Sequence, residues 1–272
     1  MRDWIITVLG QCLKVIGLYR RGVHNALDLQ LNHLELSFNN LPSAFDGFSI
    51  LQVSDPHFGA LTGITERMLQ LVSGLSPDLV VLTGDYRNKD CKNYKYVLPP
   101  LQELTATLSA RHGAWAILGN NDCADMVEPM EDIGIKVLIN ETGTIARGGE
   151  SLCITGVDDV HAFHTKAAPE AMKSAPQGFK IALVHSPELA ETAAACGYHL
   201  YLTGHTHGGQ IALPGGIPII TNLKCPRRYA NGLWRLGGMV GYTSSCVGIS
   251  VVPLRFNTRG EVTLIRLRCG AP

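Results

Sequence analysis

The 272-residue sequence has no excess of either charge: 23 Lys and Arg balance 23 Asp and Glu. Proteins that hold a phosphate backbone carry a clustered basic excess, so no nucleic-acid partner is expected. Charged residues are scarce, at 17% against 46% hydrophobic, which excludes a disordered chain. The eight cysteines (Cys12, Cys91, Cys123, Cys153, Cys196, Cys225, Cys246 and Cys269) contain no Cys-x-x-Cys pair. Neither a disulfide framework nor a cysteine-built zinc site fits that spread, and reduced thiols in a cytoplasmic protein are expected. No repeat, low-complexity tract or linker divides the chain.

No apolar run reaches the roughly 20 residues that span a bilayer. The longest, Trp4 to Tyr19, is interrupted by Gln11 and Lys14. It is followed by Arg20-Arg21 without a small-residue cleavage site, so it does not read as a signal peptide. An interfacial helix suits it, with Trp4 and Tyr19 at its ends and the arginines on anionic headgroups. The alternative is a helix packed on the domain surface. The expected organisation is an N-terminal helix and lead-in over residues 1–40, then a catalytic domain over 41–272. Residues 1–21 would give peripheral contact with the inner face of the cytoplasmic membrane.

Short apolar runs end at polar or glycine corners. Phe48 to Val53 meets Ser54-Asp55, Asp78 to Leu82 meets Thr83-Gly84-Asp85, and Ala114 to Leu118 meets Gly119-Asn120. Lys180 to Val184 meets His185, and Leu200 to Leu202 meets Thr203-Gly204-His205. Such runs suit strands buried on both faces. Thr65 to Leu75 and Leu98 to Leu108 carry helical spacing, and Ser186-Pro187 reads as a helix start. After Gly209 the chain reads as strands and turns. The order predicts an α/β domain with layered sheets.

Each corner places Asp, Asn or His at a strand's carboxyl end, which in open α/β sheets faces the ligand crevice. Gathered together, Asp55, His57, Asp85, Asn120, His185, His205 and His207 offer oxygen and imidazole donors without thiolate. That set suits manganese, iron or zinc rather than calcium. Asp55-Pro56-His57 and His205-Thr206-His207 each put two donors at i and i+2, on one side of an extended backbone. Two ions a few Å apart need a shared ligand, and the two oxygens of Asp85 suit that role.

The ordered series Asp55-x-His57, Gly84-Asp85, Gly119-Asn120-x-Asp122, His185 and Gly204-His205-x-His207 resembles the calcineurin-like metallophosphoesterase superfamily, from about Phe48 to Leu267. The Gly204 to Gln210 stretch, the corner Thr83 to Arg87 and the apolar N-terminus resemble its membrane-associated bacterial YkuE/YaeI-type branch. The resemblance implies a four-layer αββα sandwich of two mixed β-sheets flanked by helices. It implies two divalent ions, manganese first, with iron or zinc as alternatives. One would take Asp55, His57, Asp85 and His207; the other would take Asp85, Asn120, His185 and His205. The implied activity is hydrolysis of a phosphodiester, phosphomonoester or pyrophosphate bond through in-line attack by a hydroxide bridging the ions. A lipid-linked substrate, such as a UDP-diacylated amino sugar, fits the apolar N-terminus.

One position departs from the family. The residue after the metal-binding asparagine is usually histidine; here it is Asn121, whose amide donates a hydrogen bond but delivers no proton. Asp85, Asn121 and Asp122 form the candidate catalytic set, with Arg87 and Asn121 as candidate substrate contacts. An ester with a good leaving group, a proton from His161 or His164, or a phosphate- or partner-binding protein with weak or no activity are the open alternatives. Arg87 suits a substrate phosphate or a surface pair with Asp90. Asp122 suits a neighbour-orienting role or a helix cap. Asp158 and Asp159 suit a brace for a ligand histidine or a turn. Arg227 and Arg228 suit an anionic substrate or a solvated loop. His24, His33, His112 and His199 fit no motif and read as structural.

Overall fold

A computed structural model describes residues 2–88, 93–163 and 165–271. Asp90, Cys91 and His164 lie outside the described residues, as does the side chain of Trp4. In chain order the elements begin with α1 (Arg2–Val15), α2 (Tyr19–Leu27), β1 (Gln30–Phe38), β2 (Ser49–Val53), α3 (Ile64–Val72), β3 (Leu79–Leu82) and α4 (Leu98–Thr107). They continue with β4 (Ala114–Ala116), α5 (Val127–Asp132), β5 (Ile135–Val137), β6 (Glu141–Arg147), β7 (Glu150–Gly156), α6 (Ala167–Ser174) and β8 (Phe179–Leu183). Last come α7 (Ala190–Ala195), β9 (Leu200–Thr203), β10 (Ala212–Leu213), β11 (Ile217–Pro218), β12 (Gly232–Leu236), β13 (Met239–Thr243) and β14 (Glu261–Cys269).

Two six-stranded sheets result, ordered β1-β14-β2-β3-β4-β5 and β12-β13-β9-β8-β7-β6. Both are mixed. Strands β2 to β5 run parallel, as do β7, β8, β9 and β13, and antiparallel strands lie beside them. Strand alternation explains the layering. On β2 and β3, Ile50, Leu79 and Val81 face inward and meet Ile154, Ile181, Leu183 and Leu202 of the second sheet. Leu51, Val53, Val80 and Leu82 face outward onto Met68, Val72, Leu101 and Leu104 of α3 and α4. Strands buried on both sides therefore read as continuous apolar runs. On the far side, Ala182 and Tyr201 meet Ala168, Met172 and Ala193 of α6 and α7. Each large side chain so buried contributes roughly 1.5–3 kcal/mol. The four layers are the architecture that the resemblance implies.

Two features differ from expectation. Strand β1, inside the 1–40 lead-in, pairs along its whole length with β14, so residues 30–38 belong to the first sheet. The apolar N-terminal run forms two helices rather than one, because Gly17 at φ 78° ends the first and Tyr19 opens the second. Leu13, Tyr19 and Val23 of this pair pack on Ile211, Val252, Leu254 and Phe256. No helix among the described residues is long and apolar enough to cross a membrane.

Candidate metal centre

The carboxyl ends of β2, β3, β4, β8 and β9 converge, and their corner residues meet in one crevice. Asp55, His57, Asp85, His185, His205 and His207 are all buried there, with Asn120 and Asn121 half-buried. Backbone bonds lock the corners together: Asp55 N–H donates to Gly84 O at 3.0 Å, His57 N–H to Asp85 O at 3.1 Å, and Gly204 N–H to His185 O at 3.0 Å. Beneath them Gln52 Nε2 reaches across the sheets to Thr203 O at 3.0 Å.

The backbone at these corners is not extended, which corrects the expected i, i+2 geometry. Asp55 (φ 48°), His57 (φ 40°), Asp85 (φ 57°), His205 (φ 69°) and His207 (φ 53°) are all left-handed. The chain must turn over the sheet edge within three residues, and left-handed positions flanking Pro56 or Thr206 achieve that. A non-glycine residue in this region costs about 1–3 kcal/mol, and such strain gathers at functional sites. Glycine is required where corners touch. A Cβ on Gly119 would strike the Asp85 carboxylate, and one on Gly204 would strike Ser54 Oγ and Asp55 Oδ2.

The hydrogen bonds define the imidazole tautomers. His57 Nδ1 lies 2.7 Å from Arg87 O, and His207 Nδ1 lies 3.3 Å from Gly248 O. A carbonyl only accepts, so both Nδ1 atoms carry protons and both Nε2 atoms present lone pairs. Those two Nε2 atoms face each other at 3.2 Å. The second pair repeats the pattern. His185 Nδ1 meets Thr83 O at 2.8 Å and His205 Nε2 meets Asn222 O at 3.3 Å. That leaves His185 Nε2 and His205 Nδ1 facing at 3.3 Å. His185 Nε2 also lies 3.2 Å from Asn120 Oδ1, so each pair of ring nitrogens converges with oxygen donors where a cation would sit.

Asp55 Oδ1 is buried without a hydrogen-bond partner, 3.5 Å from His207 Nε2. Asp85 Oδ2 lies 3.6 Å from His57 Nε2 and 3.5 Å from His185 Nε2, between the two pairs. Asp55, His57 and His207 form one group whose donor atoms converge, and Asp55, Asp85 and His185 form another. Burial acts to lower the His185 pKa, yet the Asp85 and Asp55 carboxylates hold it well above the ordinary value. A divalent ion would be favoured by the same two carboxylates. Burial pushes the His205 pKa down to about 3 and that of His207 well below its ordinary value, so both stay neutral and ligand-competent. The donor set fits two N/O-coordinated divalent ions.

The remaining sequence-predicted residues separate into distinct roles. Asp122 caps no helix. Its buried carboxylate accepts N–H bonds from Asp85 (2.7 Å), Gly119 (2.8 Å), Tyr86 (3.0 Å) and Arg87 (3.2 Å). Burial and the neighbouring Asp85 charge raise this carboxyl to about 7, against the four donors that favour its ionised form. Asn121 holds the Asp85 carboxylate, with its N–H at 2.8 Å from Oδ1 and its Nδ2 at 2.6 Å from Oδ2. Arg87 Nε supports the Asn121 carbonyl at 2.7 Å. Asp159 accepts the N–H groups of His161 and Ala162, and Asp158 accepts from Thr165, so this pair builds a turn. The turn carries His161, whose ring lies 4.3 Å from that of His205 while its Nδ1 meets Glu188 Oε1 at 2.8 Å. Arg227 and Arg228 turn to the Pro218 carbonyl and the Tyr229 ring.

Sequence reasoning missed Arg255. Its fully buried guanidinium donates to the carbonyls of His207 (3.2 Å), Ser245 (2.8 Å), Cys246 (3.0 Å) and Gly248 (2.7 Å). Its own N–H donates to Gly22 O at 3.0 Å, and its carbonyl accepts from Asn25 Nδ2 at 3.0 Å. It therefore ties α2 to the loop bearing His207. A lone arginine far along the chain carries no motif that would reveal this.

A cavity of about 120 Å³ opens over the crevice, walled by Asp85, Asn121, His205, Gln210, Ile220 and Val251. A larger hollow of about 620 Å³ lies at the opposite end of the strands, beside Asn40 and His199. The donor chemistry is in the smaller one.

Two stacked mixed sheets with nitrogen and oxygen donors at their shared carboxyl edge define a class of metal-dependent hydrolases. The chain belongs to the calcineurin-like phosphoesterase family, whose pattern matches residues 48–209, and the family uses a dinuclear metal centre. It is 31% identical to the uncharacterized metallophosphoesterase YkuE of Bacillus subtilis (strain 168) over 238 residues, covering 84% of this chain and 82% of that protein. It is 29% identical to the phosphodiesterase YaeI of Escherichia coli (strain K12) over 229 residues, covering 81% and 82%. It is 27% identical to a transmembrane protein with metallophosphoesterase domain of Danio rerio, covering 96% of this chain and 61% of that protein.

Proposed function

We propose that the chain hydrolyses a phosphodiester or pyrophosphate bond at a centre holding two divalent ions, manganese first, with iron or zinc as alternatives. The two facing pairs of imidazole nitrogens with Asp85 between them carry this reading. Asp55, His57, Asp85 and His207 would hold one ion, and Asp85, Asn120, His185 and His205 the other. When bound, the ions acidify water and neutralise charge on phosphoryl oxygens. The chain's own residues then position and shield. The carbonyls of Arg87, Gly248, Thr83 and Asn222 fix the imidazole tautomers. Asp122 acts as a positioning residue through the corners of Asp85 and Asn120. Asn121 offers its second amide N–H toward a phosphoryl oxygen, and Arg87 steadies it. An amide protonates no leaving oxygen, so esters with good leaving groups are favoured. The N-terminal helices support peripheral membrane contact at the cytoplasmic face, and the zebrafish relative is by name a transmembrane protein. A lipid-linked phosphate ester, such as a UDP-diacylated amino sugar, fits that placement.

The test is hydrolysis of bis-(p-nitrophenyl) phosphate and p-nitrophenyl phosphate with manganese and with chelator. Metal-dependent turnover is expected, and Asp85→Asn should reduce it at least about 100-fold, since its charge serves both imidazole pairs. Near-wild-type turnover by that variant refutes the shared-ligand assignment.

A further inference from the structure

We propose that the mouth of the catalytic cavity is itself a membrane-docking face, built jointly by α1–α2 and the β10–β11 hairpin, and that its partner is an anionic lipid bilayer. The metal-centre reading supplies the cavity, but the docking surface is argued from other residues. Leu213 and Ile217 on the hairpin are 52% and 59% exposed, and Ile219 and Val251 beside them are 41% and 45% exposed. Single exposed apolar residues are ordinary on any surface, but a cluster of them marks an interaction face. The cluster adjoins the N-terminal helices. Ile211, which leads into the hairpin, and Val252, which follows Val251, pack on Leu13, Tyr19 and Val23. The helices add exposed Val15 and Ile16. Val251 and Ile220 also wall the cavity above Asp85 and His205. Helices, hairpin and cavity mouth thus form one continuous border.

Charge selects the occupant. From Thr192 to Gly260 the chain contains no Asp or Glu, and the stretch after the hairpin carries exposed Lys224, Arg227 and Arg228; Arg255 is buried, Arg259 pairs with Asp28, and Arg235 lies at the far end of the strands. Trp4 to Leu27 likewise has no acid, with exposed Arg20 and Arg21. Arg227 lies directly on the hairpin through the Pro218 carbonyl. In a chain with no net charge, the exposed Arg20 and Arg21 of the helices and Lys224, Arg227 and Arg228 beside the hairpin give these segments a positive excess. Anionic headgroups complement it. A symmetric contact with a second copy would set basic side chains against their own equivalents, which disfavours self-association through this face. Apolar side chains with a basic surround are the composition of an interfacial anchor.

Docked this way, the cavity opens at the headgroup plane. Its substrate is an amphiphile with a phosphate ester at that depth, reached without leaving the bilayer.

The test uses the full chain with phosphatidylcholine vesicles, with and without phosphatidylglycerol. Sedimentation with the anionic vesicles is expected, weakening as salt rises. The pair Leu213→Gln and Ile217→Gln should lower partitioning at least about tenfold (about 1.4 kcal/mol). Both helices remain in that variant, and hydrolysis of bis-(p-nitrophenyl) phosphate should be unchanged. As a second variant, Leu213→Trp should bind more tightly and show a blue shift in emission on adding anionic vesicles. Wild-type partitioning by the double variant, no emission shift, or equal binding to purely zwitterionic vesicles overturns the proposal. So does a dimer that the double variant converts to monomer without any change in lipid binding. Lost vesicle binding with retained metal-dependent hydrolysis overturns docking alone. Retained binding that responds to the hairpin variant, with no hydrolysis, supports docking and overturns the phosphoesterase reading.

Discussion

Replacing Asp122 by Asn removes a single charge, yet its effect should spread through two corners of the site. Each Asp122 oxygen accepts two backbone N–H bonds: Asp85 and Gly119 at one, Tyr86 and Arg87 at the other. An amide keeps one acceptor and turns an NH2 group toward the other two donors. Two buried N–H groups then lose their partners, at about 1–3 kcal/mol each. Partial relaxation of the loops reduces the sum, so a loss of about 2–4 kcal/mol is expected. Urea denaturation measures it, near pH 8, where a carboxyl with a pKa of about 7 is ionised. The same variant should bind manganese at least about tenfold more weakly in competition with a chelator, because outer partners of this kind are worth 10–100-fold. Asp122→Ala should be no better, since all four donors lose their partner. A change under about 0.5 kcal/mol, the size of an ordinary surface substitution, with unaltered metal affinity refutes the claim that this carboxylate assembles the site.

Asn121→His should raise turnover of an alkyl phosphodiester by about tenfold or more relative to its p-nitrophenyl counterpart, because general acid catalysis is worth 10²–10⁴-fold. An unchanged ratio shows that Asn121 does not limit leaving-group chemistry. Gly204→Ala should destabilise by about 1–3 kcal/mol, as overpacking does, and lower metal affinity by displacing Asp55; thermal melts with and without manganese read both effects. Glu188→Gln should flatten the acid limb of stability. Burial acts to raise the Glu188 pKa, but His161, Ser186 and the Lys224 N–H overcome it and hold the group down to about 2, from 4.5. A depressed carboxyl stabilises the fold fully above 4.5 and loses that contribution as pH falls toward 2. Parallel stability curves for variant and wild type across that window refute the assignment.

The five strand-end corners were legible because strands buried on both faces leave unbroken apolar runs, and a polar residue at the end of such a run stands out. The same logic passed over β1, which alternates Leu34, Leu36 and Phe38 with His33, Glu35 and Ser37. Half-exposed at the sheet edge, it gave the weaker, period-two signal. The i, i+2 spacing of Asp55 and His57 fits an extended strand and a left-handed corner equally, so the backbone reversal was invisible until the neighbouring strands were in place. Asp122 was open between cap and brace because three of its four donors, at Asp85, Tyr86 and Arg87, come from another segment of chain. Arg255 was hidden for the same reason, as every group it holds is distant in sequence or outside any motif.

The left-handed ligands have a consequence for how this protein tolerates change. At Asp55, His57, Asp85, His205 and His207 the side chain that would hold metal is also what makes the backbone conformation unfavourable. Replacing one of them by glycine removes the donor and relieves the torsion together, whereas alanine removes the donor and keeps the torsion. Glycine should therefore give the sturdier inactive protein at each position, reversing the usual preference for alanine over glycine. A lineage released from the need for hydrolysis would gain stability by exchanging these ligands for glycine one at a time. This chain carries all five.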